Sequence, residues 1–89
     1  MEHSLNHNQI LLRIVWCRLL RREALTPDEK EGWLAEEVGL LDAFRGRDRT
    51  VKFRRVHRPS RFKRYELGLC DGQVLIRLRP VANMWRASA

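Results

Sequence analysis

Eighty-nine residues suffice for one domain and leave no room for a second core or a large enclosed active-site cavity. A hydrophobic fraction of 44% excludes the apolar-poor compositions that stay disordered, and a formal net charge of +7 points to a polyanion or an acidic protein surface as partner. The apolar run from Ile10 to Leu20 is interrupted by Arg13 and Arg18 and is too short to cross a bilayer, so no membrane association is expected. Cys17 and Cys70 show no disulfide framework, which suits a reducing, cytoplasmic setting.

Residues 1–7 read as a flexible N-terminus, residues 8–80 as a single α+β domain, and residues 81–89 as a C-terminal tail. From Asn8 to Leu25, apolar residues cover most of a helical circumference, leaving a narrow polar stripe through Arg13, Arg18, Arg21 and Arg22. Such a helix has more apolar surface than one neighbour covers, and Leu12, Trp16 and Leu19 are candidates for self-association into a homodimer. Thr26-Pro27-Asp28-Glu29 carries the capping-box pattern and starts a second helix. Its inner face is predicted to hold Trp33, Leu34, Val38, Leu41 and Phe44, with Glu31, Glu36, Glu37 and Asp42 outside; Gly39 weakens its last turns and Arg45-Gly46 ends it.

The second half reads as sheet. Val51 and Phe53 alternate with Lys52 and Arg54, predicting a strand over 50–56 that stops before Pro59. Asp71-Gly72 between apolar alternations predicts a type I′ hairpin in which Leu69 faces Val74, Leu67 faces Ile76 and Tyr65 faces Leu78, with Pro80 closing the last strand. The expected architecture is therefore an antiparallel helical hairpin packed on a three-stranded antiparallel β-meander, ααβββ.

Charge divides unevenly along the chain. Residues 1–44 carry five Arg/Lys and eight Asp/Glu, whereas residues 45–89 carry thirteen and three. Fifteen of the eighteen basic residues are Arg, whose planar fork suits bidentate phosphate recognition. The reading favoured by this pattern is nucleic-acid binding through Arg47, Arg49, Lys52, Arg54, Arg58, Arg61, Arg64, Arg77 and Arg79, with His57 and Phe62 as candidates to stack on an unpaired base. A non-enzymatic regulator or inhibitor docking on a partner protein, of the kind encoded by phage or mobile elements, is the alternative.

A metal-independent RNase toxin is the lesser alternative, with His57, Arg61, Lys63, Tyr65 or Arg77 around the scissile phosphate. No catalytic constellation is assigned. The spacings of His3, His7, Cys17 and Cys70 do not make a metal site, and the glycines form no nucleotide fingerprint, so neither metal nor cofactor is expected.

Overall fold

The computed structural model describes the backbone of residues 2–88 and the side chains of residues 8–77. Among these residues the chain is helical throughout: α1 (Glu2–Glu23), α2 (Pro27–Phe44), α3 (Thr50–Val56) and α4 (Pro59–Ser88). The N-terminal segment 1–7 and the tail 81–89 expected from the sequence lie outside the residues whose side chains are described.

α1 contains neither Gly nor Pro, and Arg21 and Arg22 in its last turn complement the negative end of the helix dipole. α2 starts where the capping box predicts. Thr26 Oγ1 accepts a hydrogen bond from the Glu29 amide at 3.1 Å, and the Glu29 carboxylate accepts one from the Leu25 amide at 3.3 Å. Its end is a complete Schellman motif: Gly46, at φ +68°, donates to the Ala43 carbonyl at 3.1 Å, and Arg47 donates to the Asp42 carbonyl at 2.7 Å. The chain is thereby turned sharply into α3, and Pro59 occupies the first position of α4, where its missing N–H costs nothing.

α2 is the centre of the fold, packed on one side against α1 and more extensively against α4. One core cluster joins Ile10, Ile14 and Cys17 of α1 to Leu40 of α2, flanked by Trp33, Leu41 and Leu75. The other joins Ala35 and Ala43 of α2 to Tyr65 and Leu69 of α4, flanked by Val38 and Phe53. Between α2 and α4 the backbones nearly touch. A Cβ on Gly39 would run into the Tyr65 carbonyl and lie 2.6 Å from the Leu69 amide nitrogen. One on Gly68 would run into the Glu36 carbonyl, and one on Gly72 would lie 2.5 Å from the Ala43 Cβ. Ala35, Gly39 and Ala43 thus meet Gly68 and Gly72 along a seam that only small side chains permit.

This seam overturns the expected β-meander, because the described residues contain no strand. Asp71-Gly72 is not a turn but the middle of α4, and the 50–56 segment is a short helix. The alternation of Tyr65, Leu67, Leu69, Val74 and Ile76 competes with a helical pattern, Tyr65, Gly68, Leu69 and Gly72, whose two glycines carry no apolar side chain to advertise the buried face. Tyr65 and Leu69 are buried, while Leu67, Val74 and Ile76, assigned to the core by alternation, are exposed.

The inner face of α2 also differs. Gly32, Ala35, Glu36, Glu37, Gly39, Leu40, Asp42 and Ala43 are buried, and Leu34 and Phe44 are exposed. Gly39, expected to weaken the helix, instead admits α4.

The seam predicts opposite outcomes for two glycine substitutions in one helix pair. Gly68→Ala forces α4 off α2 and lowers stability by about 1–3 kcal/mol. Gly32→Ala, whose new Cβ would meet only the Arg64 side chain at 3.6 Å, is neutral or stabilising by up to about 1 kcal/mol. Urea unfolding followed by far-ultraviolet circular dichroism separates the two.

Candidate nucleic-acid interface

Three carboxylates of α2 are buried: Glu36 at 3%, Glu37 at 6% and Asp42 at 1% exposure. Charges so placed require partners, and arginines supply them. Glu36 Oε2 accepts from Arg13 at 3.2 Å and lies 3.5 Å from the Cys17 thiol, which donates to it. Its Oε1 lies 3.1 Å from Arg64 Nε, without the alignment of a hydrogen bond, while the Arg64 guanidinium stacks over Trp33 at 4.1 Å. Arg13 continues to Asp71 of α4 at 2.7 Å. Glu37 accepts from Arg18 at 3.0 Å and has Arg21 at 3.4 Å.

Asp42 holds the entrance to α3. Its two oxygens accept a bidentate pair from Arg49, at 2.9 and 3.0 Å, and Oδ2 also accepts the Tyr65 phenol proton at 2.8 Å. The Tyr65 oxygen in turn accepts from the Arg49 amide at 2.9 Å. Phe53 of α3 stacks on Tyr65 with ring centroids 4.2 Å apart, and His57 lies against Phe53 at 4.0 Å. α3 has no other anchor of this strength: none of its own residues is buried, so its position depends on the Asp42–Arg49–Tyr65 junction and the Phe53 ring.

These contacts sort the cations. Of the nine residues expected to bind nucleic acid, Arg49 and Arg64 neutralise buried acids, Arg61 pairs with Glu31, and Arg58 lies 4.0 Å from Asp28 at the surface. Arg47, Lys52, Arg54 and Arg77 are exposed and form no ion pair with a described residue, and Arg79 lies outside the residues whose side chains are described. Arg45, Arg55 and Lys63 share that exposed, unpaired state and lie outside the nine residues that the sequence singles out. All three belong to the basic run, but strand alternation turned Arg55 toward the expected core face.

Both stacking candidates already have neighbours. Phe62 is half-buried with the Arg54 guanidinium 5.4 Å from its ring centre. His57 uses one face on Phe53, and its Nδ1 lies 3.2 Å from Arg61. The residues considered for RNA cleavage do not converge. His57 and Arg61 adjoin, but Tyr65 is buried beneath Phe53, and Arg77 lies about 18 Å further along α4 at 1.5 Å per residue. Among the described residues no three His, Cys, Asp or Glu side chains gather as a metal site, and no helix is long and apolar enough to cross a membrane.

Two of the open clefts each gather three or more cations, and their acids distinguish them. A cleft of about 490 Å³ between the N-terminal turns of α2 and α4 sets Arg58, Arg61, Lys63 and Arg64 against Asp28, Glu29 and Glu31, so its field largely cancels. A shallow groove of about 690 Å³ along α3 is lined by Arg49, Lys52 and Arg55 with Val51, Val56 and a single acid, Asp48. Hydrogen bonds from Thr50, its hydroxyl first and its amide second, hold the Asp48 carboxyl below its ordinary value and occupy its oxygen. The α3 groove is the more cationic of the two. No family model, curated protein or solved structure matches the chain.

The junction yields two predictions. Asp42→Ala strands Arg49 and the Tyr65 hydroxyl and destabilises the fold by about 2–3 kcal/mol, at the low end for a broken buried pair because water reaches part of Arg49. Denaturant titration measures it.

Burial pushes the Tyr65 phenol up from 10.0 to about 12; the Arg49 amide opposes the rise and the Asp42 carboxylate adds to it. Burial, reinforced by Glu36, also pushes the Cys17 thiol from 9.0 to about 12. Both groups fold in their neutral forms, so their contributions are complete below pH 9 and are lost as the pH rises toward 12. Tyr65 is the sole tyrosine, so absorbance at 295 nm should show its ionisation in the folded protein well above pH 10 and return to about 10 in denaturant.

Proposed function

We propose that the protein binds nucleic acid through phosphate contacts on α3 and the segments flanking it. One observation carries this reading: Arg45, Arg47, Lys52, Arg54, Arg55 and Lys63 are exposed within nineteen residues, and none pairs with a carboxylate among the described residues. Among the described cations outside this run, Arg13, Arg18, Arg21 and Arg64 pair with carboxylates while Arg22, Lys30 and Arg77 do not, so what distinguishes the run is the density of its unpaired charges. Like charges crowded at this density repel one another and oppose folding unless an external anion neutralises them.

The groove chemistry favours backbone contact over base reading. Lys52 and Arg55, three residues apart on α3, flank the same groove, and the neighbouring Val51 and Val56 offer no hydrogen bonds to a base edge. Affinity then comes mainly from counterion release, and sequence discrimination is weak.

Fluorescence anisotropy with single-stranded RNA, single-stranded DNA and duplex DNA across a salt series tests this. Log affinity should fall steeply with log salt. Replacing Lys52, Arg54, Arg55 and Lys63 together by Ala should flatten the slope by about 0.7 to 0.9 for each phosphate that is no longer neutralised. Replacing the ion-paired, exposed Arg58 should change it little. Binding no tighter than that of an unrelated protein of equal charge would overturn the proposal and leave an acidic protein surface as the polyanion.

A further inference from the structure

α1 buries one side of its circumference and leaves the other without a partner among the described residues. Ile10, Ile14 and Cys17 are in the core, whereas Leu11, Leu12, Val15, Trp16 and Leu19 are 46–67% exposed. At 3.6 residues per turn these five span an arc of about 140°, an apolar face that solvated monomers rarely keep.

We infer that this face is the interface of a homodimer in which two copies of α1 cross antiparallel. The pattern of the face is self-complementary. Leu12, Val15, Trp16 and Leu19 occupy i, i+3, i+4 and i+7, a rhombus whose centre lies between Val15 and Trp16. A two-fold axis through that centre brings together residues whose numbers sum to 31. Leu12 meets Leu19 of the second copy, and Val15 meets its Trp16. At the ends, Asn8 meets Glu23 and Gln9 meets Arg22, so polar groups face polar groups and neither end sets like charges together. This is the isologous arrangement of two-fold dimers.

The flanks favour a second copy over a membrane surface. Interfacial helices border their apolar face with cations free to reach anionic headgroups. Here Arg18 is held by Glu37, and Arg13, on the opposite flank, by Glu36 and Asp71, which leaves Arg22 as the one flanking cation of α1 without a carboxylate partner among the described residues, too few for a cationic border. That neutralisation also removes the repulsion that the pairing of Arg13 with Arg18 would otherwise introduce. Five half-exposed apolar side chains from each copy approach the lower bound of about 1,000 Å² for a specific interface, so the dimer is reversible and concentration-dependent.

Sedimentation velocity over about a hundredfold range of concentration should show a monomer–dimer equilibrium, since the assembly obeys mass action. Leu12→Glu and Leu19→Lys should each weaken self-association by about tenfold or more, with circular dichroism unchanged because both side chains are solvent-exposed in the monomer. Mixed in equal amounts, the two variants should associate again. The antiparallel register sets Glu at 12 against Lys at 19 and leaves Leu12 against Leu19 on the other side of the axis.

A wild-type chain that stays monomeric throughout overturns the inference. So does a dimer insensitive to both variants, or one whose variants fail to complement each other. A monomer that co-sediments with phosphatidylserine vesicles through Trp16 would make the occupant a membrane surface and overturn it equally. None of these results bears on nucleic-acid affinity, which reads the opposite end of the molecule's chemistry.

Discussion

A carboxylate taken out of water must find a counter-charge, and α2 takes three of them out of water: Glu36, Glu37 and Asp42. Each draws its own arginines from outside α2. Glu36 recruits Arg13 from α1 and Arg64 from α4, Glu37 recruits Arg18 and Arg21 from α1, and Asp42 recruits Arg49 from the approach to α3. Replacing such pairs by apolar residues often leaves a fold equally stable, so their main effect here is to fix which face of each helix turns toward α2. A slip of α1 or α4 by one turn would leave several buried charges without a partner.

The glycine seam makes this arrangement compact. Gly39 and Gly68 bring the α2 and α4 backbones together, which carries Tyr65 far enough under the end of α2 for its hydroxyl to reach Asp42. Tyr65 then presents its ring to Phe53, and α3 is seated by one aromatic stack and one hydrogen-bonded junction. Because α3 buries none of its own residues, its charged side chains remain outside. Backbone packing at the centre and charge display at the rim are thus successive steps of one chain of contacts.

The N-terminal half was legible because its signals are local. Thr26 and Glu29 cap the helix they predict, Gly46 adopts the left-handed conformation expected after a helix, and α1 has the apolar excess read from its periodicity. The sheet was misread because two residues of small volume took the place of an apolar stripe. Gly68 and Gly72 mark the buried face of α4 by what they lack, so a period of two was left as the visible pattern. Asp71-Gly72 has the chemistry of a hairpin turn, but here Asp71 pairs with Arg13 and Gly72 rests on Ala43. Periodicity places the acids of α2 outside for a related reason. Burial of Glu36, Glu37 and Asp42 follows from arginines distant in sequence, and helical periodicity within α2 carries no trace of them.

Sorting the cations by partner says more about function than counting them. A net charge of +7 is compatible with a merely solvated basic surface, and what bears on function is that six unpaired cations fall within the nineteen residues from Arg45 to Lys63. Arginines bound to buried acids cannot leave without exposing a charge inside the fold, so they are unavailable to a ligand at any useful affinity. The densest set of cations left for a polyanion is the one around α3, whose groove is lined by a single acid, Asp48, hydrogen-bonded through one oxygen to Thr50. The same reasoning applies to apolar surface. The molecule is only 16 Å thick across its Cα atoms, a shape in which a helix contacting neighbours on one side must leave the other uncovered. A domain of this size gains little from its own core, and an unneutralised cationic rim and an uncovered helix face both oppose its stability in isolation. On the proposed reading each would be relieved by a different kind of contact, the rim by phosphate and the face by apolar surface, and the two would not compete for the same residues.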